Sequence, residues 1–281
     1  VKIGIIGGNG MLGKDLSLLL MSRGVKPNIF CRPDYNITRE VDLQKIVHNS
    51  DVIVNCAAYT AVDKAELEIE KCYAANAEAV GALGRLTAKS RKYLIHLSTD
   101  FVFGDNNIKP LNEEADTNPL GVYGESKLKG ELLLKQSGAQ HSIIRIEWTY
   151  GEYGENFISK ILSLASNMDE LRVIDDQFGS PTSTIDVARA VLSLIENRAN
   201  GVYHFASKGY ASRYEVACAI FDILGIEKKI NPCSSSAFST LAKRPLNSRL
   251  DCSKIDRILD FERPNWKCSL EKYLQKISID L

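Results

Sequence analysis

Short apolar runs alternate with longer stretches of helical period along the first half of the chain. KIGIIG, NIFC, DVIVNC and YLIHLS read as strands. Between and after them, MLGKDLSLLLMSRG, VDLQKIVH and the stretch from Asp63 to Arg91 carry the 3.6-residue spacing of helices. That alternation predicts parallel strands joined by right-handed helical crossovers. Val122 to Lys135 continues it as a helix, and after the stop at Gly138 the residues from Ser142 to Ile146 form one more buried strand. The pattern is that of an α/β fold with a doubly wound parallel sheet.

Beyond Trp148 the pattern loosens. Helices are expected near 156–166, 185–197 and 213–224, with short strands near 171–174 and 202–205. The segments from Asn231 to Ser239 and from Arg244 to Ser248 read as loops, where specificity is commonly carried. We therefore divide the chain into residues 1–150, the nucleotide-binding unit, and 151–281, a smaller mixed α/β substrate-binding region. Part of the second stretch, about 175–205, is expected to return to the large sheet.

Composition narrows the function classes. Thirty-five basic residues balance thirty-five acidic ones, so no global field gathers nucleic acid or an acidic membrane surface. The seven cysteines are odd in number, scattered and free of any C-x-x-C pair, which argues against a disulfide framework or a zinc site. The apolar run in VKIGIIGG is too short for a signal sequence or a membrane span. The expectation is a cytoplasmic protein that meets neither nucleic acid nor membrane and holds no metal.

Chemistry enters at GGNGMLG, where Gly7, Gly10 and Gly13 close an apolar strand and open an amphipathic helix. Glycine there lets a pyrophosphate approach backbone amides at a helix N-terminus, with Met11 and Leu12 in the same turn. In this setting the motif is a dinucleotide fingerprint and the sheet a Rossmann-type one. An NAD site usually places an acidic residue after the second strand. Here Cys31-Arg32 stands in that place. Arg32 suits a 2′-phosphate, which favours NADPH and leaves NADH as the weaker alternative. Asp34, close by, tempers that preference.

Tyr123 and Lys127 lie four residues apart in VYGESKLKGE, on one face of the expected helix. A lysine beside a tyrosine can lower the phenol's pKa and hold a nicotinamide ribose, and the phenol can give a proton to a carbonyl that receives hydride. The pair alone is common in any sequence. Its place after a fingerprint βαβ region, with Thr99 at the end of the YLIHLST strand, is what gives it weight. His96 reads as a satisfied core residue, and Glu113 to Asp116 as a solvated loop.

Together these residues resemble the extended short-chain dehydrogenases, and within them the dTDP-4-dehydrorhamnose reductase family, along nearly the whole chain. The resemblance is carried by GGNGMLG, VNCAAYTAVDKAE, STDFVFGD, YGESKLKGE, RIEWTYG, ENF, DDQFGSPTS and RPLNSRLD. It implies that Ala57, Ala58 and Tyr59 line the cofactor and that Thr60 and Trp148 face the sugar. It also implies that Asn156, Gln177, Arg244 and Asn247 lie toward the nucleotide diphosphate. The chain departs from the pattern at Phe101, at Glu147 before Trp148, and at Tyr35-Asn36.

The activity so implied is reduction of the 4-keto group of dTDP-4-dehydro-L-rhamnose by NADPH, with Thr99, Tyr123 and Lys127 at the reacting carbonyl. Dehydration is disfavoured because Phe101 after Thr99-Asp100 cannot transfer protons. Two alternatives stay open: a reductase of another nucleotide-linked 4-keto-6-deoxysugar, and an NADP-binding regulatory subunit of the same fold. Homodimer formation is open as well.

Overall fold

The computed structural model describes residues 1–105 and 108–279. Six parallel strands form the central sheet: β1 (Ile3–Ile6), β2 (Asn28–Phe30), β3 (Val52–Asn55), β4 (Tyr93–Thr99), β5 (Gln140–Ile146) and β10 (Gly201–Phe205). Their spatial order is β10-β5-β4-β3-β1-β2. β1, β3 and nearly all of β4 and β5 are buried, as continuous apolar runs require when helices cover both faces. The order reverses beside β1, between β2 and β3. A sheet of this kind opens its ligand crevice there, outside the carboxyl ends of the strands.

On one face α1 (Met11–Ser22) and α8 (Thr184–Asn197) pack through Leu12, Leu16, Leu20, Val187, Val191 and Leu194. On the other face lie α2 (Glu40–His48), α5 (Ala79–Lys89) and α6 (Val122–Gln136), burying Leu43, Ile46, Val80, Leu83 and Leu134. α8 and β10 thus belong to the large sheet although they come late in the chain. A second core is built from α7 (Phe157–Asn167), β7 (Glu170–Ile174), α9 (Arg213–Leu224) and α10 (Trp266–Ile279), around Ile161, Val173, Ile220, Phe221, Trp266 and Leu270. Among the described residues no helix is long and apolar enough to cross a membrane.

Three elements differ from the sequence expectation. The stretch 63–91 is not one helix: α3 (Val62–Ala65), α4 (Ile69–Tyr73) and a π turn at Ala74–Glu78 precede α5. The widened turn lets Asn76 reach back, accepting from Tyr59 N at 2.8 Å and donating to Tyr59 O at 3.1 Å. The segment 231–239, expected as a loop, begins inside strand β12 (Lys229–Cys233), which pairs in parallel with β7. Pro232 hid it, yet proline is tolerated in an edge strand. Glu113 is not simply solvated, since its carboxylate accepts from His204 N at 2.9 Å.

Candidate active site

β1 ends at the glycine motif. Gly7 has φ +75°, and a Cβ there would lie 2.9 Å from Ala57 N, so the turn presses against the chain leaving β3. A Cβ on Gly13 would lie 2.3 Å from Gly7 O. Gly10 caps α1 with extended backbone and no side-chain hydrogen bond. The first-turn amides of Met11, Leu12 and Gly13 therefore face the crevice without a side chain in the way. This cradle suits a pyrophosphate, and Ala57 packs against its turn at Gly7, with Ala58 next along the chain. Tyr59 follows, its phenol donating to Glu68 at 2.7 Å, and Thr60 is exposed. Arg32 is exposed just past β2.

A second cluster of polar groups sits further along the same edge of the sheet. Thr99 ends β4, where its hydroxyl donates to Asp100 Oδ1 at 3.0 Å and accepts from Phe101 N at 3.2 Å. Its hydroxyl also acts on the Tyr123 phenol, drawing that group's pKa down against the larger upward push of burial. Tyr123 lies in the first turn of α6 and is braced edge-on by Phe101, with ring centroids 5.4 Å apart. Lys127 is 2% exposed one turn later; its Nζ donates to Leu97 O at 2.6 Å and lies 3.4 Å from His96 Nε2. The far side of that imidazole meets Asn55 at 3.2 Å. His96 is therefore a core residue, as expected, but one in contact with Lys127.

Electrostatics correct one expectation. Lys127 is not turned to Tyr123 in a way that acidifies it. Burial and the nearby Asp100 carboxylate push the phenol's pKa up, against the pull of the Thr99 hydroxyl. The group so held is a firmly protonated acid. Burial in turn pulls Lys127 down to about 8, opposed by Glu131. Asp100 is raised by burial although Ser248 donates to it at 2.5 Å.

The substrate-side residues fall into two groups. Trp148 has φ +43° and carries the Arg213 guanidinium 3.5 Å above its ring; Gln177 is buried in the following segment. Arg244 is clasped by Asp63, Nη2 to Oδ2 at 2.5 Å and Nη1 to Oδ1 at 3.2 Å, which joins the RPLNS segment to VDKA. Two expected diphosphate ligands are otherwise engaged. Asn156 caps α7: its Oδ1 accepts from Ile158 N and Ser159 N, and its Nδ2 donates to Gly151 O. Asn247, 4% exposed, donates to Lys109 O at 2.9 Å and accepts from Arg249. Both carboxamides hold the backbone that shapes the site, because a buried amide is costly unless its groups are paired.

Sequence reasoning missed Arg213, Glu147 and Asp100. Arg213 starts a helix 65 positions after Trp148, so no spacing could have joined them. Asp100, and Glu147, which the sequence marks only as a departure from the family pattern, adjoin residues already singled out; both are buried and hydrogen-bonded.

The whole of this arrangement falls within one family. Residues 1–279 match the family described as RmlD substrate binding domain. The chain belongs to that family. It is 34% identical over its full length to the dTDP-4-dehydrorhamnose reductase of Sinorhizobium fredii, covering 99% of that protein. A crystal structure of a dTDP-4-dehydrorhamnose reductase from Clostridium acetobutylicum superposes with a TM-score of 0.95 at 35% identity, covering 99% of this chain and 100% of that one. Another from Bacillus anthracis, in complex with NADP, gives 0.93 at 30% identity and covers 98% and 99%. RmlD-family membership and the doubly wound fold are thereby established for this chain.

Proposed function

We propose that this protein reduces the 4-keto group of dTDP-4-dehydro-L-rhamnose, using NADPH, to give dTDP-L-rhamnose. The observation that carries the reading is the convergence at the carboxyl edge of the parallel sheet of Thr99, ending β4, with Tyr123 and Lys127 one turn apart on α6. When bound, NADPH supplies the hydride. Tyr123 gives its proton to the carbonyl oxygen as charge develops there, and a phenol held protonated by its surroundings suits that task. Thr99 holds the same oxygen in place. Lys127 turns from Leu97 O toward the ribose and the phenol when the cofactor is present. The Gly7–Gly13 turn takes the pyrophosphate and Arg32 the 2′-phosphate. Trp148, Thr60, Gln177 and Arg244 form the side that receives the nucleotide sugar. The same reading places the enzyme in the cytoplasm, as a monomer or a homodimer.

The test is a substrate panel: the dTDP-, UDP- and GDP-linked 4-keto-6-deoxysugars and the free sugar, each with NADPH and with NADH. The dTDP form with NADPH should give the highest kcat/KM, because remote contacts to base and diphosphate hold a small reacting sugar in position. Equal reduction of the free sugar would sink the nucleotide-sugar reading. NADPH binding without turnover of any form would point to a regulatory binding subunit instead.

A further inference from the structure

Glu147 is 1% exposed in the short link between β5 and β6 (Thr149–Tyr150), and proton transfer at the carbonyl makes no use of it. Its Oε2 accepts from Ser180 N at 2.9 Å, and its Oε1 meets Leu250 N at 3.4 Å. Those amides belong to the two segments that carry DDQFGSPTS and RPLNSRLD. The segments are also laced to each other, Phe178 N donating to Leu246 O and Ser248 N to Phe178 O, both at 2.8 Å. A carboxyl group of this reach offers an oxygen to each donor, whereas an amide would turn its own NH₂ against one of them. Burial, then the Asp100 carboxylate, push the pKa of the Glu147 carboxyl well above the usual range, against the two amides that donate to it.

The packing around it is equally close. A Cβ at Gly179 would come within 2.4 Å of Glu147 Oε2 and 2.7 Å of the Trp148 ring, so a bare backbone is what admits the pair. Trp148 takes a left-handed φ of +43°, which a bulky residue keeps only where its surroundings hold it. Asp100 and Arg213 are charged groups whose fields act on Glu147, and the Glu147 carboxyl in turn acts on Tyr210 and Cys252.

We propose that Glu147 is a positioning and specificity-determining residue: its carboxyl group clamps the 177–182 and 244–250 segments together and so sets Trp148 as the wall on which the sugar packs. This rests on the nucleotide-sugar reading, and its test needs a readout that survives the failure of that reading. The chain has two tryptophans, and Trp266 is 4% exposed. Acrylamide quenching of the intrinsic emission therefore reports chiefly on Trp148.

Glu147→Ala, Glu147→Gln and Gly179→Ala are compared with the unaltered protein for quenching, for NADPH affinity, and for kcat and KM with the dTDP-linked ketosugar. Glu147→Ala and Gly179→Ala should increase quenching and raise KM about tenfold. kcat should stay within about threefold and NADPH affinity should be unchanged. Glu147→Gln, which keeps one acceptor, should fall between them and the unaltered protein. Unchanged quenching and KM in both alanine variants would overturn the clamp. So would a fall in kcat at constant KM, which would make Glu147 a proton carrier, or a matching loss of NADPH affinity, which would make it a general support of the fold. If Glu147→Ala does not fold, Gly179→Ala and Glu147→Gln carry the comparison. If the unaltered protein reduces no sugar, the functional reading fails, and quenching alone decides the clamp.

Discussion

Lys127 and Glu131 sit one turn apart on α6, both buried, and their surroundings treat charge in opposite ways. Glu131 is fully matched: Arg145 reaches it through Nε at 2.9 Å and Nη2 at 2.7 Å, and Ser98 donates to it at 2.5 Å. Arg145 and Glu131 are 3% and 0% exposed, yet the fork geometry answers both carboxylate oxygens. Lys127 has a carbonyl oxygen and an imidazole whose own protonation burial suppresses. The first cluster is closed and holds β4, β5 and α6 together. The second is buried too, but Lys127 holds its charge with a carbonyl and an imidazole as partners, and its pKa is drawn down to about 8. A buried lysine with a lowered pKa, one turn from a fully paired ion pair, is the pattern expected of a functional group and fits the role proposed for Lys127.

The comparison breaks first at Tyr123. Tyr123→Phe should lower kcat by about 10²–10⁴-fold while NADPH affinity stays near its original value, because ring volume is kept and the proton donor lost. Retention of more than about a tenth of kcat in steady-state assays would remove Tyr123 as the principal acid.

Glu131→Ala probes the closed cluster. It strands the Arg145 guanidinium in the interior and should cost about 3–5 kcal/mol of unfolding free energy in urea titrations. A loss under about 1 kcal/mol would mean water reaches Arg145 and the cluster is not closed.

Lys127→Met probes the second cluster through pH. Burial holds the folded-state pKa of Lys127 at about 8, below the ordinary lysine value of 10.5. Between those values the unfolded chain binds more protons, so the unaltered protein gains stability as pH rises through the window. Below it the burial penalty is fully present. The stability advantage of Lys127→Met should thus shrink by about 2 kcal/mol between pH 8 and pH 10. A pH-independent difference would show that Lys127 stays charged and well solvated in the folded protein, with no burial penalty.

The second cluster was largely readable in advance, because its parts are local. Gly7, Gly10 and Gly13 sit in one turn, Tyr123 and Lys127 on one helix face, and Thr99 at a strand end the apolar run makes plain. The closed cluster was not, since Ser98, Glu131 and Arg145 come from three elements and no spacing links them. The substrate side was intermediate. DDQFGSPTS and RPLNS stood out as segments, but Asn156 and Asn247 turned out to hold backbone, and Arg213 came from outside both.

Periodicity and glycine placement, acting over a turn or a strand, determined the parallel sheet, the nucleotide cradle and the Tyr-Lys face. The tertiary structure alone decided which polar side chains are consumed. A buried carboxamide or carboxylate takes whichever donors and acceptors packing brings within hydrogen-bond reach, and those arrive from anywhere in the chain. Glu147 between Ser180 and Leu250, and Arg244 against Asp63, are set by that meeting of distant segments rather than by their neighbours in sequence.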